Sequence, residues 1–475
     1  MAVVHRLAAG WLVDHLAFIN QCGYEIWDSS ASPAAATSPG ACCAAPALGA
    51  TSLSRDGLEP GPAAGREAGG EAARRRFVFR EEFFDISQPH IAAATGEQLR
   101  QGCSDLSPTA GKANSSREEL SQGAQRGVGG SVCSARKKRR RQQELNQGEL
   151  EALQYHCKVR QLIWEGTLGL VQEGLRSGFL QPSAAGLSHK RKTLPGHIGC
   201  GLAELCDMAK QLPAVGEGQQ PAVQVLGEES SLPEQALLSC LTENSSSSAR
   251  IVVVMGQKYL VPPQSSFLLS DVSCLQPLLS CKRRFDVIVM DPPWENKSLK
   301  RSKRYSSLAP WQIKQLPVPA LAAPSCLVLT WVTNRQRHLR FVRDQLYPHW
   351  ALQPLAEWHW VKITRAGEFV LPLDSLHKKP YEVLVLGRAR GDPKQASREA
   401  EAVPAIPDQK LIVSVPCSLH SHKPPLAGVL AEFVKPDVQC LEMFARSLQP
   451  GWTSWGNEVL KFQHMDYFTP LGDES

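Results

Sequence analysis

Short apolar runs rich in β-branched residues recur through the second half of the chain. They are "RIVVVM", "FDVIVM", "CLVLTWV", "EVLVLG", "LIVSV" and "VQCLEMF", and helix-like or loop stretches such as "RQRHLRFVRDQL" separate them. Continuous apolar runs of this length are typical of strands buried on both faces, and their alternation with helices indicates a mostly parallel sheet. The pattern therefore predicts an α/β domain over residues 250–470.

The first residues of the chain show a different pattern. Apolar side chains there recur near helical spacing, at Val4, Leu7, Trp11, Leu12, Leu16 and Ile19. The spacing predicts a docked amphipathic helix within 1–28. Asp14 and His15 interrupt the apolar run and argue against a signal peptide. A mitochondrial presequence is a further alternative, which Asp14 and the presence of a single arginine weaken.

Residues 29–141 contain few large apolar side chains. The stretch 29–75 is rich in Ala, Pro, Gly and Ser and predicts a disordered linker, because it cannot bury enough surface to offset its ordering entropy. An aromatic segment over 76–94 interrupts this composition, and we expect it to pack against a neighbouring domain. Residues 95–141 return to Ser, Gly and Gln, predict disorder again, and end in a basic run.

A helical pattern follows the basic run. Leu150, Leu153, Cys157 and Ile163 fall on one helical face, and Asn146 is a candidate N-cap. The sequence therefore predicts a helix that begins near 146, with breaks at its glycines, and a helical N-terminal domain over 142–249.

The charge of the chain is only mildly basic, at +6 over 475 residues. An interaction with nucleic acid must therefore be argued from local clusters. The run of six basic residues from Arg136 to Arg141 is typical of a nuclear localisation signal, although a solvated charge run has the same composition. We expect a nuclear protein with a cytoplasmic pool.

Cysteine spacing and hydropathy argue against two classes of protein. None of the 14 cysteines falls at a Cys-x-x-Cys spacing, which argues against a zinc module, and we expect no metal site. No apolar run approaches the roughly 18 residues of a membrane span, so we expect no membrane partner.

The stretch "FDVIVMDPPW" carries the candidate chemistry. Ligands of α/β sheets bind beyond the carboxyl ends of strands, and Asp291 stands at such an end. Pro292 and Pro293 stiffen the turn and should leave bare carbonyls, while Trp294 offers an apolar face. An acid, carbonyl acceptors and an indole suit the exocyclic amine of a nucleobase. The alternative is a strand-terminating turn followed by a core tryptophan.

Five stretches in one order resemble the MT-A70 family of S-adenosylmethionine-dependent adenine-N6 methyltransferases. They are "DPPW", "TWVTN", "HSHKPP", "LEMFAR" and "GWTSWGNE", and the resemblance covers about 250–465. It implies an α/β fold, a class I Rossmann-like methyltransferase domain with permuted motif order, beside a mainly helical, partly disordered N-terminal region. It also implies S-adenosylmethionine as cofactor.

The resemblance implies roles for particular residues. Asp291, Pro292, Pro293 and Trp294 form the catalytic motif. We expect Lys423 to meet the methionine carboxylate of the cofactor. The remaining cofactor contacts are expected at Asp271, Val272, Arg446, Asn457 and Glu458. The alternatives are a surface lysine for Lys423 and a helix cap for the pair at 457–458.

A basic segment directly after the catalytic motif is a candidate substrate loop. Basic side chains with an aromatic residue are typical of phosphate contact and base stacking, although a solvated loop is the alternative. The candidate substrate contacts in this loop are Asn296, Lys297, Lys300, Arg301, Arg304 and Tyr305. A second loop, "HKKPYE", resembles another active-site loop of the family and adds Lys378 and Lys379.

These features together predict an RNA adenine-N6 methyltransferase. The family implies 2′-O-methyladenosine in small nuclear RNA as a candidate target, and the chain could act as a monomer. DNA N6-adenine methylation is the nearest alternative, because the same site would present either sugar. A catalytically inactive nucleic-acid-binding scaffold is a further alternative, which the intact "DPPW" opposes.

Overall fold

The computed structural model describes residues 2–27, 74–90, 145–182, 201–209, 223–227, 234–295, 307–375, 378–390 and 404–471. The strands are β1 (Val3–Leu7), β2 (Gly10–Val13), β3 (Glu25–Trp27), β4 (Arg74–Phe79), β5 (Val223–Val225), β6 (Leu241–Asn244), β7 (Arg250–Val254), β8 (Gln257–Val261), β9 (Ser265–Leu269), β10 (Phe285–Met290), β11 (Ala322–Val332), β12 (Leu352–Lys362), β13 (Tyr381–Ala389), β14 (Leu411–Ser414), β15 (Cys440–Met443), β16 (Trp452–Gly456) and β17 (Phe468–Pro470).

Short helices connect these strands, and one long helix precedes most of them. The α-helices are α1 (His15–Asn20), α2 (Gln147–Arg176), α3 (Leu202–Ala209), α4 (Glu234–Ser239), α5 (Gln276–Ser280), α6 (Pro310–Lys314), α7 (Val318–Leu321), α8 (Gln336–Arg340), α9 (Tyr347–His349) and α10 (Ala427–Leu430). A π-helix over Phe341–Leu346 joins α8 to α9. None of the helices in the described ranges is long and apolar enough to cross a membrane.

A twelve-stranded sheet forms the centre of the fold. Its order is β1-β2-β14-β12-β13-β11-β10-β15-β16-β9-β6-β5. Strands β11, β10, β15, β16 and β9 run parallel, whereas β13 runs antiparallel to β11. The predicted Rossmann-like α/β fold with a mostly parallel sheet is confirmed. The carboxyl ends of the five parallel strands therefore meet at one edge, together with the amino end of β13.

The catalytic strand β10 contributes to two hydrophobic clusters, one on each face of the sheet. Ile288 and Met290 belong to a cluster that includes Trp294. Val287 and Val289 belong to the other cluster, which includes Trp11. Successive residues of a strand point to opposite faces, so an uninterrupted apolar run is what a strand buried on both sides requires.

The predicted amphipathic helix over 1–28 is wrong. This segment forms β1, β2, the six-residue α1 and β3, and β2 pairs in parallel with β14 inside the large sheet. The three residues that follow Gly10 are each at most 1% exposed. A helix buries only one stripe of side chains, whereas a strand between two others buries consecutive residues. Short apolar segments fit both spacings, so the sequence pattern alone could not distinguish them.

Gly10 is a position where the sheet requires a glycine. Its φ is +153°, and a Cβ placed there would lie 1.9 Å from the carbonyl oxygen of Leu411 on the neighbouring strand. The close approach of the two backbones explains how β2 can join the sheet beside β14.

The predicted helix start near 146 is confirmed, but the predicted breaks at glycines are wrong. The Asn146 side chain accepts a hydrogen bond from the Glu149 N–H, the Glu149 carboxylate accepts one from the Asn146 N–H, and α2 spans 30 residues. Gly166 and Gly174 lie where the helix packs closely: added Cβ atoms would approach side-chain carbons to 2.5 Å and 2.7 Å. The glycines therefore allow close packing of α2 instead of interrupting it.

The region 142–249 is not a separate helical domain. Its strands β5 and β6 extend the large sheet beside β9, so residue 250 does not mark a structural boundary. The aromatic segment begins two residues earlier than predicted, and its strand β4 pairs with β3 and β17. The stretches predicted as disordered, 29–75 and 95–141, lie outside the described residues except for Arg74 and Arg75 of β4.

Candidate active site

Asp291 lies directly after β10, at the edge where the parallel strands end. Its Oδ2 accepts hydrogen bonds from Lys423 Nζ at 2.9 Å and from Arg446 Nη1 at 3.2 Å. The exposed fractions of these side chains are 16% for Asp291, 13% for Lys423 and 14% for Arg446. Two cations therefore fix the carboxylate in a site that is largely shielded from bulk water.

The turn after Asp291 is closed by its own backbone. The Pro292 carbonyl accepts a hydrogen bond from the Trp294 N–H at 2.8 Å, and the Pro293 carbonyl accepts one from the Leu308 N–H at 3.0 Å. The expectation of bare carbonyls is therefore wrong, because the turn uses both. A carbonyl oxygen has two lone pairs, so the Pro292 oxygen can still accept a second hydrogen bond from a ligand.

Trp294 does not offer a free face for stacking. Its indole is 4% exposed, its Nε1 donates to the Trp331 carbonyl at 2.9 Å, and its ring lies edge-on to His338 at 4.9 Å. The stacking role predicted for Trp294 is wrong in this conformation, and the core alternative describes it. The indole instead braces the end of β10 against β11, because its hydrogen bond joins the two strand ends.

A second carboxylate, Glu382, lies at the amino end of β13. Its Oε2 lies 3.3 Å from Lys423 Nζ, and its Oε1 accepts a hydrogen bond from Lys362 Nζ at 2.5 Å. Burial opposes ionisation of Glu382, but Lys362 and Lys423 outweigh it and lower its pKa to about 2. The sequence predicted this loop as part of the site, but only its two lysines as substrate contacts. A carboxylate at the start of the apolar run "YEVLVLG" was the available signal.

Glu458 anchors the other cation of the site. Arg446 Nε donates to Glu458 Oε2 at 3.1 Å, and Lys461 Nζ donates to Glu458 Oε1 at 2.9 Å. The Glu458 side chain is 12% exposed. The cations and carboxylates thus alternate through the site, and four predicted site residues belong to one continuous set of ion pairs: Asp291, Lys423, Arg446 and Glu458.

The other predicted cofactor residues lie at neighbouring strand ends. Asp271 and Val272 follow β9, Asn457 follows β16, and the last residues of the two strands pair as Leu269 and Gly456. Asp271 Oδ1 accepts hydrogen bonds from the N–H and hydroxyl of Ser273, both at 2.9 Å. The sheet therefore places these residues on the same edge as Asp291, and their cofactor contacts stay predictions.

The predicted substrate residues are only partly described. Lys378 is exposed, whereas Lys379 is partly buried, and its Nζ lies 3.5 Å from the Leu373 carbonyl. Burial lowers the pKa of Lys379 to about 8. The remaining candidates lie outside the described residues: Asn296, Lys297, Lys300, Arg301, Arg304 and Tyr305.

A cavity beside Asp291 extends beneath the N-terminal segment. Its catalytic side is lined by Asp291, Trp331, Lys423, Glu442, Arg446 and Gln449, and its far side by His15, Phe18, Ile19, Cys22 and Phe462. The rings of His15 and His422 lie 4.5 Å apart, and burial lowers the pKa of both. The sequence did not predict the far side of the cavity, because the residues of α1 reach the site only through the pairing of β2 with β14.

Glu442 is a carboxylate of the site that sequence reasoning did not select. It belongs to β15, and its side chain lines the cavity together with Asp291. Its Oε2 lies 3.5 Å from Gln449 Nε2. Burial and the charge of Asp291 raise the pKa of Glu442 to about 7, although Arg446 and Lys423 oppose the shift. The available signal was a single acid within the apolar stretch "VQCLEMF".

The residues of the site fit S-adenosylmethionine. The shielded cation of Lys423 suits a carboxylate, and the paired side chains of Arg446 and Glu458 suit the hydroxyl groups of a ribose. The Gln449 Oε1 and His422 Nδ1 atoms are buried without a hydrogen-bond partner, and both residues line the cavity. Buried polar atoms of this kind need a partner, which a polar ligand would provide. Within the described ranges, no group of His, Cys, Asp and Glu could hold a metal ion.

Comparisons with known proteins find a matching family and several related proteins. The sequence pattern of MT-A70 matches residues 285–458. The human protein named N(6)-adenine-specific methyltransferase METTL4 is 49% identical over 98% of this chain and 98% of its own length. The N6-methyladenosine RNA methyltransferase MTA1 of Pyricularia oryzae is 36% identical over 43% of this chain and 55% of its own length. The DNA N6-methyl methyltransferase of Caenorhabditis elegans is 34% identical over 45% of this chain and 56% of its own length.

The predicted resemblance is therefore confirmed at two levels. The family pattern covers the segment from the start of β10 to two residues beyond β16, and this segment contains Asp291, Lys423, Arg446 and Glu458. The similarity to the human protein extends over nearly the whole chain. By this similarity the chain belongs to the MT-A70 family.

Proposed function

We propose that this protein transfers a methyl group from S-adenosylmethionine to N6 of adenine in RNA. The observation that carries the proposal is the carboxylate of Asp291, held by Lys423 at 2.9 Å and Arg446 at 3.2 Å at the carboxyl end of β10. The family supports the same chemistry, because relatives similar to this chain are named adenine-N6 methyltransferases.

Asp291 and the Pro292 carbonyl are the acceptors for the two N–H bonds of the adenine amine. The lone pair of that nitrogen is delocalised into the ring, and two fixed acceptors favour a more pyramidal nitrogen with an available lone pair. Positive charge develops on nitrogen during the transfer, and a carboxylate already fixed in place stabilises it without reorganisation. Much of the remaining rate acceleration comes from orientation.

The cations of the site serve to bind the cofactor. S-adenosylmethionine supplies, when bound, an activated methyl group on a positively charged sulfur. Lys423 binds the carboxylate of the cofactor's methionine moiety. Its ammonium has three N–H donors, and because Asp291 and Glu382 engage two of them, the third can donate to the cofactor. The ribose and adenine of the cofactor are assigned to Arg446, Asn457, Glu458, Asp271 and Val272.

The proposed polymer is RNA, and the candidate target is 2′-O-methyladenosine in small nuclear RNA. A base must leave its stack to reach Asp291, which single-stranded RNA allows at low cost. DNA is the second candidate, supported by the similarity to the C. elegans DNA methyltransferase. We further propose that the protein acts in the nucleus, from its basic run at 136–141, and that it is active as a monomer.

The test is methylation of matched oligonucleotides by the full-length chain. The substrates are an RNA, the same RNA with one 2′-O-methyladenosine, and a DNA of the same sequence, with N6-methyladenosine measured by mass spectrometry. We expect the 2′-O-methylated RNA to be methylated fastest. Faster methylation of DNA would overturn the RNA assignment. Cofactor binding without methylation of any oligonucleotide would favour an inactive scaffold.

The catalytic assignment has its own test in Asp291→Asn. Removing one fixed electrostatic group typically lowers turnover by about 100-fold or more, and we expect a loss of that size with cofactor affinity largely retained. Asp344→Asn is the matched control, because that carboxylate is 50% exposed and, among the residues that the structure describes, pairs with the adjacent Arg343. Turnover by the Asp291 variant at the level of the control would refute the role of Asp291.

A further inference from the structure

Glu442 differs from Asp291, Glu382 and Glu458 in having no cation of its own. Asp291, Glu382 and Glu458 each lie within 3.3 Å of two basic nitrogens. Among the described residues, Glu442 forms no ion pair, and its Oε2 has only the Gln449 amide at 3.5 Å. The two cations whose charges act on it, Lys423 and Arg446, are already engaged by other carboxylates.

The surroundings of Glu442 make its charge dependent on what enters the cavity. The charged groups that act on it are Asp291 at the end of β10, Lys423 in the loop before α10, and Arg446 after β15. The cavity histidines, His15 and His422, have pKa values lowered by burial and are neutral near pH 7. Glu442 itself has a pKa raised to about 7, so a modest change in local charge changes its protonation.

The charge that must enter this cavity in the proposed reaction is positive. The sulfonium of S-adenosylmethionine carries one permanent positive charge, which the demethylated product lacks. The methyl group has to meet an amine bound at Asp291, and Glu442 lines the same cavity as Asp291. A positive charge there favours the ionised carboxylate, whereas the neutral thioether of the product does not.

We propose that Glu442 is a specificity-determining residue that senses the charge of the cofactor: it releases its proton to solvent when the sulfonium form binds and retains it when the demethylated product binds. This inference rests on the proposed function, because it assigns the cofactor to the same cavity. Its consequence is that the protein distinguishes the reactive cofactor from the spent one by charge as well as by the methyl group.

The size of the effect follows from proton linkage. A nearby opposite charge typically lowers the pKa of a carboxyl by about 1–3 units. With a lowering of about two units from the value of about 7, the sulfonium cofactor should bind about tenfold more tightly at about pH 8 than at about pH 6. The same linkage predicts the release of about half a proton per cofactor bound near pH 7. Binding of the demethylated product should show much less of either effect.

Calorimetry tests this on the full-length protein. Binding of S-adenosylmethionine, its demethylated product and an unreactive analogue with an ammonium in place of the sulfonium is measured from about pH 6 to about pH 8, in two buffers of different ionisation enthalpy. We expect proton release with both positively charged ligands but not with the product. Glu442→Gln should bind the sulfonium cofactor with no carboxyl-linked pH dependence, whereas Glu81→Gln, at an exposed position outside the cavity, should match the wild type.

The amino groups of the ligands titrate in the same way with the wild type and with the Glu442 variant. The difference between the two proteins therefore reports on Glu442 alone. The same pH dependence in Glu442→Gln and in the wild type would overturn the inference while leaving the proposed function intact. If that variant does not fold, the wild-type measurement decides: equal proton release with cofactor and product also overturns it. Absence of S-adenosylmethionine binding at every pH would overturn the proposed function itself and the inference with it.

Discussion

Replacing Trp11 with Ala should destabilise the catalytic fold, although Trp11 lies far from the catalytic motif in sequence. Its indole is 1% exposed, lies 5.2 Å from the Trp358 ring and 6.1 Å from the Phe433 ring, and donates to Glu432 at 2.5 Å. Truncation of a buried tryptophan costs about 3–5 kcal/mol. Glu432 keeps its ion pair with Arg6 at 3.1 Å, so the change leaves no carboxylate without a partner.

The expected loss is large compared with the total stability of a domain, which is about 5–15 kcal/mol. Urea unfolding followed by far-ultraviolet circular dichroism measures it, and Trp311→Ala is the control because that side chain is 61% exposed. The control should stay within about 0.5 kcal/mol of the wild type. Equal stability of the two variants would refute the conclusion that β2 is part of the catalytic sheet.

Three further changes test other parts of the structure. Glu382→Gln should remove an acid-sensitive contribution to stability. The pKa of Glu382 is about 2 in the folded protein and 4.5 ordinarily, so its contribution is present above about pH 4.5 and is lost as the pH falls towards 2. Acid unfolding of the wild type and the variant measures this difference. Gly10→Ala should prevent soluble expression, because its Cβ would lie 1.9 Å from a carbonyl oxygen, and a soluble, stable variant would contradict the proposed approach of β2 to β14. Asp374→Asn should raise the KM for RNA severalfold without changing cofactor affinity. Arg160 binds Asp374 at 2.7 Å and so connects α2 to the loop that carries Lys379; an unchanged KM would argue against a substrate role for that loop.

The parts of the fold that the sequence predicted are those that depend on local patterns. Strands β10, β11, β13, β14 and β15 could be recognised from their apolar runs, because strands buried on both faces have few polar residues. The start of α2 could be found because Asn146 is a residue type that caps helices and stands directly before the helical apolar spacing, and the structure shows its side chain capping the helix. Asp291 could be placed at a strand end because the apolar run stops directly before it.

The features that the sequence did not predict depend on contacts between distant residues. The segment around Trp11 has a spacing that suits a helix, and only its position between β1 and β14 makes it a strand. Trp294 could have been a platform or a core residue, and its hydrogen bond to the Trp331 carbonyl decides between them. Glu382 and Glu442 are single acids in apolar strands, and their importance is visible only when the sheet places them beside Asp291.

The N-terminal segment and the ion pairs contribute to one property of the site. An electrostatic site is effective when its groups are fixed beforehand and water is kept away from them. Lys423 and Arg446 fix Asp291. Glu382 in turn pairs with Lys423, and Glu458 pairs with Arg446. The side chains of α1 line the far side of the cavity. Removal of the first 27 residues should therefore open the cavity to water and weaken every ion pair within it. A catalytic fragment that begins near residue 250 would lack β2, β5 and β6 of the sheet as well as the side chains of α1. The minimal active unit must then include the N-terminal strands, and such a fragment that binds cofactor and methylates RNA at the full rate would refute this reasoning.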